Sequence, residues 1–111
     1  MTWVEACKVV DLDEDEAYKL EVQPPVAIFN VDGEFYATDD MCTHGESSLS
    51  EGYLEDGQIE CIFHFARFCV RTGVAQCLPA TVDLRTYATK VEDDQVWVDL
   101  PDDHSTAPVD A

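Results

Sequence analysis

Basic side chains are scarce in this sequence. Six Lys and Arg stand against 24 Asp and Glu, a net charge of −18 over 111 residues. That balance excludes a nucleic-acid footprint, which needs clustered cations. It disfavours an anionic membrane surface for the same reason. Glycine is sparse as well. Gly33, Gly45, Gly52, Gly57 and Gly73 are never spaced G-x-G, so there is no dinucleotide fingerprint and no P-loop. No G-x-S-x-G elbow exists. No apolar run approaches the roughly 20 residues of a membrane span. The start, Met1-Thr2-Trp3-Val4-Glu5-Ala6, has neither a basic n-region nor an apolar h-region. The expectation is a cytoplasmic protein with no membrane and no nucleic-acid partner.

What is present is an ordinary core. Apolar residues make up 46% of the chain, so the charge does not signal disorder. The length allows one domain. Short β-like runs separated by turn signals fill most of it. Tyr18, Leu20 and Val22 alternate on one face. Val26 to Val31 is apolar and β-branched, Asp32-Gly33 follows, and Glu34 to Thr38 resumes the strand. An Asp-Gly turn between such runs is the strongest local hairpin signal in the chain. Asp56-Gly57, Arg71-Thr72-Gly73 and Asp93-Asp94 mark three further turns. No stretch holds a 3.6-residue apolar period over a dozen residues. The class expected is all-β, an antiparallel sandwich or small barrel. Asp11 to Glu16 reads as a solvated charged loop. Residues 101–111 read as a flexible acidic tail, with His104 solvated in it.

Five cysteines are an odd number, and in a reducing compartment they point to metal binding or burial before disulfides. Two loops each hold one cysteine and one histidine: Cys42-Thr43-His44-Gly45 and Cys61-Ile62-Phe63-His64, with sixteen residues between His44 and Cys61. Thiolate and imidazole bind zinc or iron–sulfur centres. Three readings stand at this point: buried cysteines with incidental histidines, a structural zinc site, and a [2Fe–2S] centre with two Cys on one iron and two His on the other. Zinc sites usually pair Cys with Cys and His with His. The mixed pairs acquire a physical reason if each loop supplies one ligand to each iron. Cys7, Cys69 and Cys77 read as small buried hydrophobes. Trp3 and Trp97 read as core or edge packing.

C-x-H, sixteen residues, then C-x-x-H resembles the Rieske cluster signature. The resemblance runs through Asn30 to Thr38 before the first loop and Phe68 to Gly73 after the second, and covers roughly residues 3 to 100. The chain is most similar to the Rieske-type ferredoxins of bacterial multicomponent aromatic-ring-hydroxylating dioxygenases. The resemblance implies a Rieske-type antiparallel β-sandwich with a small cluster-binding subdomain at about 40–80, within a single domain 1–100. It implies one Rieske [2Fe–2S] cluster. Cys42 and Cys61 would hold the inner iron, and His44 and His64 the outer iron near the surface. Leu78-Pro79-Ala80 is the candidate for a covering loop. Phe63 and Phe65 are candidates for an apolar rim at which partners dock.

Two departures from the family's respiratory members bear on redox behaviour. Those carry a further cysteine in each loop, joined as a disulfide; Ser47 and Phe63 stand there, so that bond cannot form. They also place a serine and a tyrosine hydroxyl on the cluster; Ala66 and Phe68 stand there. A hydrogen bond to a charged acceptor is worth about 1.5–3 kcal/mol, so two missing hydroxyls lower the potential by at most roughly 130–260 mV.

The function implied is one-electron transfer from an NAD(P)H-dependent flavin-containing ferredoxin reductase to a terminal ring-hydroxylating oxygenase. Catalysis is not expected. A mononuclear iron site needs two further histidines and a carboxylate, and only His104 remains. A monomer is expected. The alternatives are a small Rieske subunit of a nitrite reductase or monooxygenase complex, and a zinc-stabilised interaction module.

Overall fold

The computed structural model describes residues 2–42, 47–61, 66–77 and 83–101. Eleven strands are found among them: β1 (Thr2–Lys8), β2 (Ala17–Leu20), β3 (Val26–Val31), β4 (Glu34–Asp39), β5 (Tyr53–Glu55), β6 (Gln58–Glu60), β7 (Arg67–Cys69), β8 (Ala75–Cys77), β9 (Thr86–Tyr87), β10 (Thr89–Glu92) and β11 (Gln95–Leu100). They form three antiparallel sheets, β1-β11-β10, β2-β3-β4-β9 and β5-β6-β7-β8. Short 3₁₀ turns at Val9–Asp11 and Leu49–Glu51 complete the regular structure. The all-β expectation holds.

The hairpin turns follow from local chemistry. Asp32-Gly33, Asp56-Gly57 and Asp93-Asp94 each place two successive residues at positive φ. This is the type I′ geometry, whose twist matches that of the flanking strands. Aspartate tolerates the left-handed region because its short polar side chain bonds locally.

β3 separates two cores. All six of its residues are buried. Its even-numbered apolar residues, Val26 and Ile28, join Ala6, Phe35, Ala37, Val96, Val98 and Leu100 between the first two sheets. Its odd-numbered residues, Ala27, Phe29 and Val31, join Leu49, Ile59, Phe68, Val70 and Leu84 against the third sheet. Successive strand side chains point to opposite faces, so a strand covered on both sides must be apolar at every position. Asn30 is the exception. Its amide donates to the Leu12 carbonyl at 2.8 Å and accepts from the Gly33 N–H at 2.9 Å, so both polar ends are satisfied.

Several local expectations are refined. Tyr18 and Leu20 pair with Ile28 and Val26 and share their face, but Tyr18 is 40% exposed because β2 is an edge strand. Val22 lies beyond β2 and is buried nonetheless. The charged segment 11–16 is exposed except for Leu12, which plugs the sandwich core. Trp3 lies at the sheet surface with the Lys90 ammonium 4.5 Å from its ring centroid, as edge packing requires. Residues 102–111, including His104, lie outside the described residues.

Gly73 ties the third sheet to the chain that returns to β9. Its N–H donates to the Cys69 carbonyl and its own carbonyl accepts from the Leu84 N–H, both at 2.7 Å. Its φ is +80°, and a Cβ there would meet the Leu84 carbonyl oxygen at 2.2 Å. Gly73→Ala is therefore expected to cost about 2–4 kcal/mol and to lower the thermal midpoint by roughly 8 °C or more, read by circular dichroism melting.

Candidate metal centre

Two hairpin loops built alike carry the predicted ligands. In the first, Met41 bridges Ser48 and the Cys42 N–H donates to the Ser47 carbonyl at 2.9 Å. In the second, Glu60 pairs with Arg67 and the Cys61 N–H donates to the Ala66 carbonyl at 2.8 Å. In both, a cysteine and the residue five positions later close the base, and four residues form the tip. The tips, 43–46 and 62–65, lie outside the described residues, and so do His44, His64, Phe63 and Phe65 on them. The Leu78-Pro79-Ala80 segment lies outside as well.

Cys42 and Cys61 are both buried, and both belong to the core walled by Phe29 and Phe68. Two soft thiol ligands at the bases of two facing loops, shielded from water, suit an iron–sulfur centre. The donor set among the described residues thus fits the thiolate half of the site. Ala66 and Phe68 are fully buried beside it and bring no hydroxyl, as the sequence implies.

The described structure adds two residues that sequence reasoning passed over. Asp40 is 2% exposed and lies two residues before Cys42. Its carboxylate accepts from the Ser48 hydroxyl at 2.5 Å and the Ser50 N–H at 2.9 Å, while its carbonyl accepts from the Leu49 N–H at 2.6 Å. It therefore clamps the outgoing limb of the first loop to the incoming one. Ser47 is the other. Its hydroxyl oxygen lies 2.8 Å from the Cys61 sulfur, across from one loop to the other. In sequence Ser47 is visible only as a position that lacks cysteine, and Asp40 as one acid among 24 acidic residues.

The remaining described cysteines lie apart from these bases. Cys7, on β1, is half-buried; burial and the nearby Asp11 charge push its thiol up. Cys69 is half-buried rather than fully buried, which corrects the reading of it as a core hydrophobe, because β7 ends there at the turn to Gly73. Burial alone would raise its thiol. Hydrogen bonds from the Thr72 hydroxyl and from the Thr72 and Arg71 backbone, with the Arg71 charge, outweigh it and hold the thiol below its ordinary value.

With this geometry in view, the Rieske [2Fe-2S] domain family matches residues 2–88. The 3-phenylpropionate/cinnamic acid dioxygenase ferredoxin subunit of Escherichia coli K12 is 50% identical over 103 residues, 92% of this chain and 97% of that protein. Among solved structures, Sphingomonas yanoikuyae B1 ferredoxin superposes with a TM-score of 0.85 at 36% identity, over 90% of this chain and all of that one. A chain in the complex of reduced oxygenase and oxidized ferredoxin of carbazole 1,9a-dioxygenase gives 0.84 at 38% identity, over 86% of this chain and 91% of that one. The fold and the two cysteine loops define a two-loop iron–sulfur β protein. The chain belongs to the Rieske [2Fe–2S] family, and its cofactor is one Rieske cluster. That membership removes the structural-zinc reading.

Two outcomes follow from the local geometry. Asp40→Ala leaves the Ser48 hydroxyl and the Ser50 N–H without their carboxylate. It is expected to cost about 2–4 kcal/mol and to lower iron per purified chain, measured by thermal melting and metal analysis. Thr72→Val removes the hydroxyl that favours the Cys69 thiolate. It is expected to slow iodoacetamide alkylation of Cys69 several-fold near neutral pH, followed by peptide mass mapping.

Proposed function

We propose that this chain is the one-electron carrier of an aromatic-ring dioxygenase system, with Cys42 and Cys61 holding one iron of its cluster and His44 and His64 the other. The observation that carries this is the pair of matched loop bases with buried cysteines in a chain half identical to a dioxygenase ferredoxin subunit across nearly its full length. A [2Fe–2S] cluster held by these residues would supply one-electron redox chemistry. The chain's own residues hold the inner ligands dry and keep the loops in register. In this reading His44 and His64 would each bind iron through one ring nitrogen and leave the other for hydrogen bonding to a partner. On the same reading the third sheet and the two cysteine loops make up the cluster-binding subdomain, at about 40–80, of a single domain 1–100.

The electron goes to a terminal oxygenase, as in the carbazole dioxygenase complex of ferredoxin and oxygenase. We propose a flavin-containing NAD(P)H-dependent reductase as donor, because nothing in the sequence supplies a dinucleotide or flavin motif. Among the described residues no helix is long and apolar enough to cross a membrane, and the proposed location is the cytoplasm. Contacts that form and break at every turnover call for small, weak interfaces, which accords with a monomeric carrier. A charge of −18 steers such encounters toward basic patches. On the sheet that bears the second loop, a groove is lined by Tyr53, Gln58 and three acids, Glu55, Asp56 and Glu60, together with Arg67, which lies 3.7 Å from the Glu60 carboxylate.

The primary test is low-temperature EPR of dithionite-reduced protein with iron, sulfide and zinc counted on the same sample. Two irons per chain and a rhombic signal typical of histidine-ligated clusters are expected; one zinc and no signal would sink the reading. The midpoint potential is expected in the lower part of the Rieske range of about −150 to +300 mV, below roughly +100 mV. Electron transfer to the oxygenase is expected to slow as ionic strength rises from low to physiological, and stopped-flow rates insensitive to salt would contradict electrostatic docking.

A further inference from the structure

We infer that the Ser47 hydroxyl donates a hydrogen bond from the first loop to the Cys61 sulfur of the second, and that this bond raises the reduction potential of the cluster. The inference rests on Cys61 being a ligand, as proposed above.

The two loops are built on one plan, so their positions correspond. Cys42 matches Cys61, and Ser47 matches Ala66, since each cysteine N–H donates to the carbonyl of its counterpart five residues on. The plan holds for the described backbone of the two bases, and the residues that close them differ in side chain. The first loop ends its base on a hydroxyl, the second on a methyl group. The Ser47 oxygen lies 2.8 Å from the Cys61 sulfur, Ser47 is 4% exposed and Cys61 0%. The Ser47 backbone is held by the bond from the Cys42 N–H.

A ligating thiolate carries no proton and can only accept, while the serine hydroxyl can donate. Donation to an anionic acceptor is stronger than a neutral hydrogen bond, and a dry, low-dielectric site strengthens it further. Reduction adds negative charge to the cluster and its sulfur ligands. The Ser47 bond therefore stabilises the reduced state more than the oxidised one. The hydroxyls absent at Ala66 and Phe68 are offset in part by one that reaches the cluster's ligand shell from the opposite loop.

The test uses the full-length holoprotein and its Ser47→Ala and Ser47→Thr variants. Ser47→Ala copies the residue found at the equivalent position of the second loop, and Ser47→Thr keeps a hydroxyl. Iron content, the EPR signal and a mediated redox titration at fixed pH are measured on all three. The expected result is full iron in each, a reduction equilibrium about tenfold less favourable in Ser47→Ala, which is about 59 mV more negative for one electron, and a Ser47→Thr midpoint near the parent's. A fully loaded Ser47→Ala protein with the parent midpoint would overturn the inference. So would a Ser47→Ala protein that cannot hold iron while Ser47→Thr can, because the hydroxyl would then serve only to join the loops. A parent protein without two irons and the rhombic signal would overturn the ligand assignment itself.

Discussion

The rest of this structure depends on β3 being covered on both faces. A strand with one wet face needs only alternate apolar residues. Here Val26 and Ile28 face the sandwich while Ala27, Phe29 and Val31 face the sheet that carries the second loop. A slip of one residue in the register between β3 and β4 would exchange those two sets. The Asp32-Gly33 turn and the Asn30 bonds to Leu12 and Gly33 fix the register at the hairpin end. Phe29 and Phe68 then share one buried core with Cys42 and Cys61. The core that holds the two cysteines thus depends on the parity of one strand.

At that core the protein places two loops of the same construction, and it holds them differently. The first has a buried carboxylate, Asp40, that gathers Ser48, Leu49 and Ser50. The second emerges from a continuous hairpin, β6 to β7, whose ladder does the same work with Ile59 and Phe68 paired across it. A loop that leaves a sheet needs side-chain anchors; a loop inside a ladder does not. This accounts for a buried acid on one side of the site and not at the equivalent position on the other. Tyr36 and Arg71 add a surface link between β4 and the third sheet, with the guanidinium 5.6 Å from the ring centroid.

Much of this was legible in the sequence, because the signals were local. Asp-Gly pairs between β-branched runs specify type I′ hairpins through backbone geometry alone. The Cys-x-His and Cys-x-x-His spacing carries its chemistry in the ligand types. What escaped depends on contacts between distant segments. β1 has little alternation of its own, with Ala6 its one buried residue, and exists because β11 offers it a ladder. Cys69 is half-buried because β7 ends at a turn, which its apolar neighbours conceal. Ser47 reads only as a position that lacks cysteine until the register of both loops brings its hydroxyl to the other loop's sulfur.

The three lysines keep to one part of the molecule. Lys8, Lys19 and Lys90 lie on β1, β2 and β10 of the sandwich, all exposed, whereas of the arginines Arg85 adjoins β9, and Arg67 and Arg71 belong to the sheet that carries the second loop and its following turn. Guanidinium groups do not react with the amine-directed reagents used to couple proteins to surfaces. Lysine coupling to an activated gold or carbon support therefore grips this molecule through sandwich strands, leaving the sheet of the second loop unmodified. The distribution of three lysines thus keeps lysine attachment off the sheet that bears the second loop.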